Sequence, residues 1–330
     1  MSAPDAALTD RFRADLSALL GRAPAPGERL ALAVSGGPDS MALLVLAHAA
    51  FPGAVTAATV DHRLRPENAD EARMVADYCA SLGIAHATLA SPDAIEGASI
   101  QAQARAMRYA LLSDWAEARG AVALLTAHHA DDQAETFLMR AARGSGLAGL
   151  AGVRAARMEG AVLLLRPLLE WRRAELRAIV RRAEAPFIDD PANQDPRHDR
   201  TRFRRLIEAN EWLDPPNLAR AAAHLAEVEA EILATIDALW GVRLRSAGPG
   251  ECAIDVSGLP RELRRRLARR AIGLVRQAHG ITRPSWSDGA NVEHLLDGLA
   301  EGRRITQAGI LVLPKGGVWR FREAPPRRSH

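Results

Sequence analysis

Two cysteines, Cys79 and Cys252, are all that 330 residues contain, and they lie far apart in the chain. Such a pair supplies neither a CxxC metal or iron–sulfur site nor a disulfide framework. Lysine is scarcer still: Lys315 stands alone among 43 basic residues. A Walker A phosphate loop, which needs Gly-Lys-Ser/Thr, is therefore excluded. Long apolar runs are missing as well. The greasiest stretch, 41–51, is interrupted by His48 and falls far short of a bilayer span. The opening MSAPDAALTDRFRADL mixes acidic, basic and polar residues, without the apolar core of a signal peptide. The expectation is a soluble cytoplasmic protein with no membrane segment. Neither an internal repeat nor a long low-complexity segment is present.

What is there is a chain long enough for more than one domain, since single domains run to roughly 100–200 residues. Hydrophobic residues make up 48% of it, enough for a sizeable core. The net charge of +3 hides an asymmetry. Residues 1–150 hold 12 arginines against 17 acids, whereas residues 151–330 hold 31 basic against 23 acidic residues. Arginine presents a planar fork of donors suited to phosphate, so the basic half points to a polyanionic partner. Solvated helix faces and a bias toward arginine codons explain the same charge equally well.

Between residues 29 and 170, short apolar runs alternate with helical patterns. Strands are expected at 30–34, 54–60, 84–89, 121–126 and 162–165, with helices at 39–50, 68–82, 100–119 and 131–143. This alternation predicts an α/β fold with a parallel, doubly wound sheet, whose ligands bind at the carboxyl ends of the strands. Beyond Pro167 the pattern changes. An arginine-rich helix is expected at 170–185, followed by FIDDPANQDPRHDRTRFRR, read as turn formers and charge rather than a core element. Helices at 216–240 and 260–280 and short β-strands within 303–322 complete a mainly helical C-terminal domain with a small β tail. The expected division is 1–212, with a core at about 28–185 and a basic extension at 186–212, and then 213–330.

The strongest chemical signal is Ser35-Gly36-Gly37-Pro38-Asp39-Ser40, which directly follows the LALAV strand and opens a helix. Glycines let backbone approach an anion, and free amides at a helix start point at phosphate oxygens. The hydroxyls of Ser35 and Ser40 add donors, and Asp39 can hold a magnesium ion on the phosphates. A plain turn with an aspartate cap is the rival reading, but the strand-end position favours function.

This arrangement resembles the PP-loop ATPase family, whose signature is SGGxDS. Members of that family cleave ATP between its α and β phosphates, transferring AMP to a carbonyl oxygen. Further segments narrow the resemblance: Asp61-His62-Arg63-Leu64-Arg65, Glu71-Ala72, the run from Ala127 through His128 and His129 to Thr136, and Arg143-Gly144-Ser145-Gly146-Leu147. With Leu165-Arg166-Pro167-Leu168-Leu169, Asp190-Pro191-Ala192-Asn193 and Arg200-Thr201-Arg202-Phe203-Arg204, they resemble the tRNA(Ile)-lysidine synthetase family over about residues 28–210. Two positions depart from its pattern, which usually has Ser at Ala192 and Asn at Thr201.

The resemblance implies a ligase that adenylates the C2 oxygen of the wobble cytidine of tRNA(Ile) with a CAU anticodon. Free L-lysine then displaces AMP, giving lysidine. The arginine-rich domain at 213–330 is then expected to bind the tRNA. ATP and Mg2+ are the implied cofactors, and the family admits a homodimer, for which no sequence feature marks an interface. Ser35, Gly36, Gly37, Pro38, Asp39, Ser40 and Asp61 are expected to bind the nucleotide, with Asp39 also on the metal. Asp39, His128, Asp132 and Arg204 are the expected catalytic residues. Asp131, Asp132 and Glu135 place three carboxylates at a helix start, suited to a cationic substrate, although helix capping competes for Asp131. Arg108, Arg143 and Arg202 complete the expected substrate contacts. His128 or His129 can shuttle a proton, and one of them can equally be a buried structural histidine. Arg105 is a candidate phosphate contact, and Arg166 sits among turn residues near a strand end. The arginine run at 261–276 is either a tRNA backbone contact or a solvated face. Trp171, Trp212 and Trp240 read as core or interface residues, with base stacking as the alternative.

Other classes remain to be weighed. A tRNA thiolating enzyme generally needs paired cysteines. Synthetases that amidate or condense small metabolites typically carry a glutaminase domain or lack a basic appendage. A nucleotide-binding regulatory module would need neither the 127–136 cluster nor the basic half.

Overall fold

The computed structural model describes residues 4–61, 67–90, 100–189, 197, 199–246, 248, 250–287 and 289–325. It divides within one helix into two compact units, Met1–Ala226 and Glu227–His330.

In the first unit, α1 (Ala6–Leu20) precedes β1 (Arg29–Ala33), α2 (Pro38–Ala50), β2 (Val55–Asp61) and α3 (Glu67–Ser81). Then come β3 (Ala85–Ala90), α4 (Ile100–Ala118), β4 (Ala121–Leu125), α5 (Ala130–Ala141) and the short α6 (Leu147–Leu150). An antiparallel pair, β5 (Ala156–Glu159) and β6 (Val162–Leu165), leads into α7 (Arg173–Arg182) and α8 (Asp199–Glu208). The sheet order is β3-β2-β1-β4-β6-β5, with all neighbours parallel except β5 and β6.

Strand alternation explains how both faces are covered. Leu30, Leu32, Ala123, Leu125 and Leu165 point to one side, into a core shared with Phe12 of α1, Leu43 of α2, Val75 of α3 and Ile179 of α7. Ala31, Ala58, Leu124 and Leu164 point to the other, against Tyr109, Leu112 and Trp115 of α4. The chain leaves β1 on one side and β4 on the other, so β1 and β4 flank the topological switch point where such sheets bind ligands.

Two sequence expectations need correction. The stretch ending RTRFRR is not irregular throughout: α8 forms from Asp199, and Thr201 is buried. The helix expected at 170–185 starts only at Arg173, because Arg172 caps it through its own backbone amide to Glu175, at 2.7 Å. The segments 62–65 and 190–193, including Ala192, lie outside the described residues.

In the second unit, α9 (Pro215–Arg243), which begins in the first, runs into β7 (Leu244–Ser246) and β8 (Cys252–Asp255). These are followed by α10 (Arg261–Ala278), α11 (Glu293–Ala300), β9 (Ile305–Gln307), β10 (Ile310–Lys315) and β11 (Val318–Glu323). The tail strands join β7 and β8 in a five-stranded antiparallel sheet of order β7-β8-β11-β10-β9. Among the described residues no helix is long and apolar enough to cross a membrane.

Candidate active site

The turn after β1 is shaped by glycine. Gly36 has φ +84°, and a Cβ there would lie 3.3 Å from the Met74 side chain. Gly37 caps α2 without a side-chain bond and Pro38 takes the first helical position, so the first-turn amides have no internal cap. The turn is stapled from within. Ser40 Oγ donates to the Gly37 carbonyl at 2.9 Å and accepts from the Ser35 amide at 3.1 Å, while Ile188 N donates to the Gly36 carbonyl at 3.0 Å. The buried Ser40 hydroxyl thus serves the shape of the loop, leaving backbone amides as the main donors toward an anion.

A cavity of about 560 Å³ opens at this turn. Its walls include Ser35, Gly37, Pro38, Asp39 and Ser40 from the turn, Thr59 and Val60 from β2, and Glu71 from α3. Arg105, Arg108 and Tyr109 come from α4, His128 and Asp132 from the β4–α5 connection, and Arg200 from α8. Asp61 ends β2 one residue past this wall.

The two histidines differ sharply. His129 is buried, with Nε2 3.4 Å from Asp39 Oδ2 and 3.5 Å from Asp132 Oδ2. It caps α5 reciprocally: its Nδ1 accepts from the Asp132 amide at 3.3 Å, and its amide donates to Asp132 Oδ2 at 3.2 Å. Burial opposes protonation of His129, but Asp132 and Asp39 outweigh it and raise its pKa. His128 lines the cavity and exchanges a hydrogen bond with Thr126 Oγ1 at 3.1 Å. Burial, joined by Arg166, Arg105 and Arg200, pushes its pKa down to about 3 against the pull of Asp132. It is therefore a neutral imidazole at pH 7.

The acidic trio is held by arginine. Asp131 accepts from Arg172 twice, at 3.2 Å each, and from the Arg173 amide at 2.8 Å. Glu135, buried to 1% exposure, accepts from Arg173 at 2.9 Å and from Arg200 and Arg204 at 2.8 Å each. Asp132 accepts from Arg200 at 3.1 Å. Burial works against ionisation in all three, yet their basic neighbours prevail and hold every carboxyl low, Asp132 at about 2. Of the three, only Asp132 reaches the cavity wall.

Helical periodicity sorts the arginines of α8. Arg200 and Arg204, four apart, share the face turned to Glu135. Arg202 lies between them, 71% exposed, with Asp199 at 4.0 Å, the same carboxylate that Arg143 reaches at 2.5 Å on the surface. Arg166 is buried, with Nη1 on the Arg154 carbonyl and Nε without a partner. Trp171 is fully buried and donates to Asp15 at 2.8 Å, whereas Trp212 is 86% exposed. Sequence reasoning passed over Arg172 and Arg173, and named Arg200 within the 200–204 motif without giving it a role. Their signal was indirect: a helix start bearing three acids on or near one face demands cations from elsewhere.

Among the described residues one buried side-chain oxygen is unmatched: Asp39 Oδ1, in the first turn of α2, has no hydrogen-bond partner there. No group of three or more metal-ligating side chains occurs among the described residues. A single carboxylate shared with substrate phosphates is the arrangement magnesium commonly takes, so the donor set fits that ion.

A model of the PP-loop domain family matches residues 8–210. The curated tRNA(Ile)-lysidine synthase of Zymomonas mobilis is 44% identical over 91% of this chain and 90% of its own length. That of Novosphingobium aromaticivorans is 44% identical over 97% and 94%. The chain belongs to the tRNA(Ile)-lysidine synthase family of PP-loop proteins. Among solved structures, the U34-tRNA thiolase NcsA from Methanococcus maripaludis, described with its [4Fe-4S] cluster, covers 68% of this chain and 79% of its own. Its TM-score of 0.57 at 17% identity speaks for the fold alone. In this lysidine synthase family member the two thiols are separately entombed. Cys79 lies in the first unit's core and Cys252 in the second's, and burial raises their pKa values to about 12 and about 11.

Proposed function

We infer that this enzyme ligates free lysine to C2 of the wobble cytidine of tRNA(Ile) bearing a CAU anticodon, converting its codon preference from AUG to AUA. The observation that carries the reading is one cavity at the sheet's switch point, walled by the Ser35–Ser40 turn, His128 and Asp132 together. The family relationship supplies the substrates.

The chemistry divides into two displacements. The C2 oxygen of cytidine attacks the α-phosphorus of ATP, forming a C–O–P bond and expelling pyrophosphate. The lysine amine then attacks C2, the C–O bond breaks, and AMP departs as the amine loses a proton. A poor leaving oxygen is thus made a good one before the carbon centre is attacked. In the first displacement the amides of the turn, with Arg105 and Arg108, face the polyphosphate and offset charge that builds on the leaving pyrophosphate. Asp39 holds magnesium, which supplies charge neutralisation on the phosphates when bound. In the second, His128 is neutral and can hydrogen-bond the attacking amine, whose proton passes on to solvent. Asp132 is the carboxylate offered to the cationic amino acid. Asp131 and Glu135 act on the site through the arginines that they hold, and Arg204 is poised by Glu135. Arg143 and Arg202 share Asp199 on the surface and do not line the cavity, so any substrate contact they make lies away from the reacting atoms.

The test is direct. Protein with magnesium, ATP and labelled lysine incorporates label into tRNA carrying a CAU anticodon. Absence of incorporation, with sulfur or amide nitrogen transferred instead, rejects the assignment.

A further inference from the structure

The second unit is rich in arginine, yet most of that charge is already matched within it. On α10, Arg261 meets Glu293 at 2.8 Å and Asp297 at 2.6 Å, and Arg265 meets Glu293 at 2.6 Å. Arg266 makes a bidentate pair with Glu229, at 2.6 Å on both arms, and Arg270 pairs with Asp237 while lying 4.6 Å over the Trp240 ring. Arg269 donates to the Ala290 carbonyl at 2.8 Å, and the buried Arg276 donates to the carbonyls of Ala308 and Pro284. Elsewhere in the unit Arg243 and Arg245 converge on Asp255, and Arg303 pairs with Glu301. The run at 261–276 that charge alone marks for RNA is thus largely internal scaffolding.

What this leaves over is informative. Arg264, Arg283, Arg304, Lys315, Arg320 and Arg322 are the described basic residues of the unit whose side chains make neither an ion pair nor a hydrogen bond to another described side chain or carbonyl. Four of them fall on one surface. Along β11, Trp319 and Phe321 are buried while Arg320 and Arg322 are exposed. Along β10, Ile310 and Val312 are buried, so Leu311, Leu313 and Lys315 turn outward. Register places Leu311 between Thr306 and Arg322, and Leu313 opposite Arg320. Arg304 is exposed and precedes Ile305, which packs inward, so alternation sets it outward too. The buried face shares its core with Leu267 and Ile272 of α10 and Leu295 of α11. The neighbouring acids do not cancel the outer charge: Asp255 is held by two arginines, and Glu323 by His279 Nδ1 at 3.0 Å.

We propose that the outer face of this five-stranded sheet, through Arg304, Lys315, Arg320 and Arg322, grips the sugar–phosphate backbone of the substrate tRNA. The proposal rests on the function inferred above. Guanidinium forks that are unpaired in the protein lose no internal partner on meeting phosphate, unlike those of α10. Such contacts position an RNA without reading its sequence, so they act on affinity and KM rather than on kcat.

The experiment uses the full chain and a tRNA(Ile) transcript with a CAU anticodon. Affinity is measured over a salt series for the parent, for Arg320→Gln/Arg322→Gln and for Arg304→Gln. The double variant is expected to bind roughly ten-fold more weakly at moderate salt, with the log–log salt slope shallower by about 1 for each phosphate no longer neutralised. Its kcat at saturating tRNA and its melting temperature stay at parental values. Arg304→Gln shows the same behaviour with about half the slope change. Arg270→Gln, on α10, is expected to lower stability and leave the slope alone. Parental affinity and slope in the double variant overturn the proposal, as does a slope change confined to Arg270→Gln. A parent that ligates lysine while the sheet variants bind normally sinks this surface only. A parent that neither binds the tRNA nor ligates lysine sinks the functional reading, and this surface with it.

Discussion

Removing the carboxylate of Glu135 tests whether this side chain belongs to the architecture or to the lysine pocket. Glu135→Ala deletes a buried acceptor of three arginine hydrogen bonds, at 2.8, 2.8 and 2.9 Å. Hydrogen bonds to charged groups contribute about 1.5–3 kcal/mol each, which for three deeply buried ones would be a loss of about 4.5–9 kcal/mol. They are not: Arg200 is 43% exposed and Arg204 24%, so both recover water when their partner goes. Arg173, at 19%, recovers less. Breaking a buried pair from one side costs about 3–5 kcal/mol, and solvent screening of two of the three places the expected loss near about 3 kcal/mol. With a urea slope of about 2–3 kcal/mol/M, that moves the unfolding midpoint down by about 1 M. Glu135→Gln keeps the volume and one acceptor, and is expected to lose about half as much. A carboxylate reserved for substrate behaves in the opposite way, since removing it relieves crowded charge and weakens only substrate binding. A Glu135→Ala protein as stable as its parent, with a raised KM for lysine, would falsify the assignment of Glu135 to the arginine scaffold.

Two further outcomes are expected. Asp39→Ala lowers pyrophosphate release by roughly 100-fold or more while tRNA affinity is retained; loss of both together means that the turn serves folding instead. Stability follows pH in two opposed limbs. Asp131, Asp132 and Glu135 have depressed pKa values, so their contribution is complete above about pH 5 and drains away as pH falls toward about 2, the folded value for Asp132. His129 is raised, so its contribution is complete below the ordinary histidine value and fades as pH climbs through the folded one. Urea midpoints taken from about pH 3 to 9 check both limbs, and a flat acid side in the parent contradicts the first.

The strand–turn–helix at 29–50 was legible because its signals are local: a strand, two glycines, a proline and an acid in close succession leave few alternatives. The parallel sheet was legible for a similar reason, since Leu30, Ala31 and Leu32 of β1 and Ala123, Leu124 and Leu125 of β4 are apolar on both faces and must be covered twice. Partnerships across long sequence distances were not. Glu135 and Arg204 are 69 residues apart, and Arg266 and Glu229 are 37 apart, so charge patterning along the chain could not show that they neutralise one another. β5 escaped notice because Ala156–Glu159 is an exposed edge strand without an apolar run. α8 was obscured by the proline- and aspartate-rich segment before it, and only once its helical phase is known do Arg200 and Arg204 part company with Arg202.

His129 stands between two charge reservoirs, the cavity-lining Asp39 on one flank and the arginine-clasped Asp132 on the other. A cation arriving at Asp39 weakens that carboxylate's hold on the His129 Nε2 proton, and the altered ring is felt at once by Asp132. Binding energies are reciprocal, so an amine seated at Asp132 must bias the nucleotide side by the same amount. The two half-reactions would then be coupled through one ring, with no movement of the backbone required.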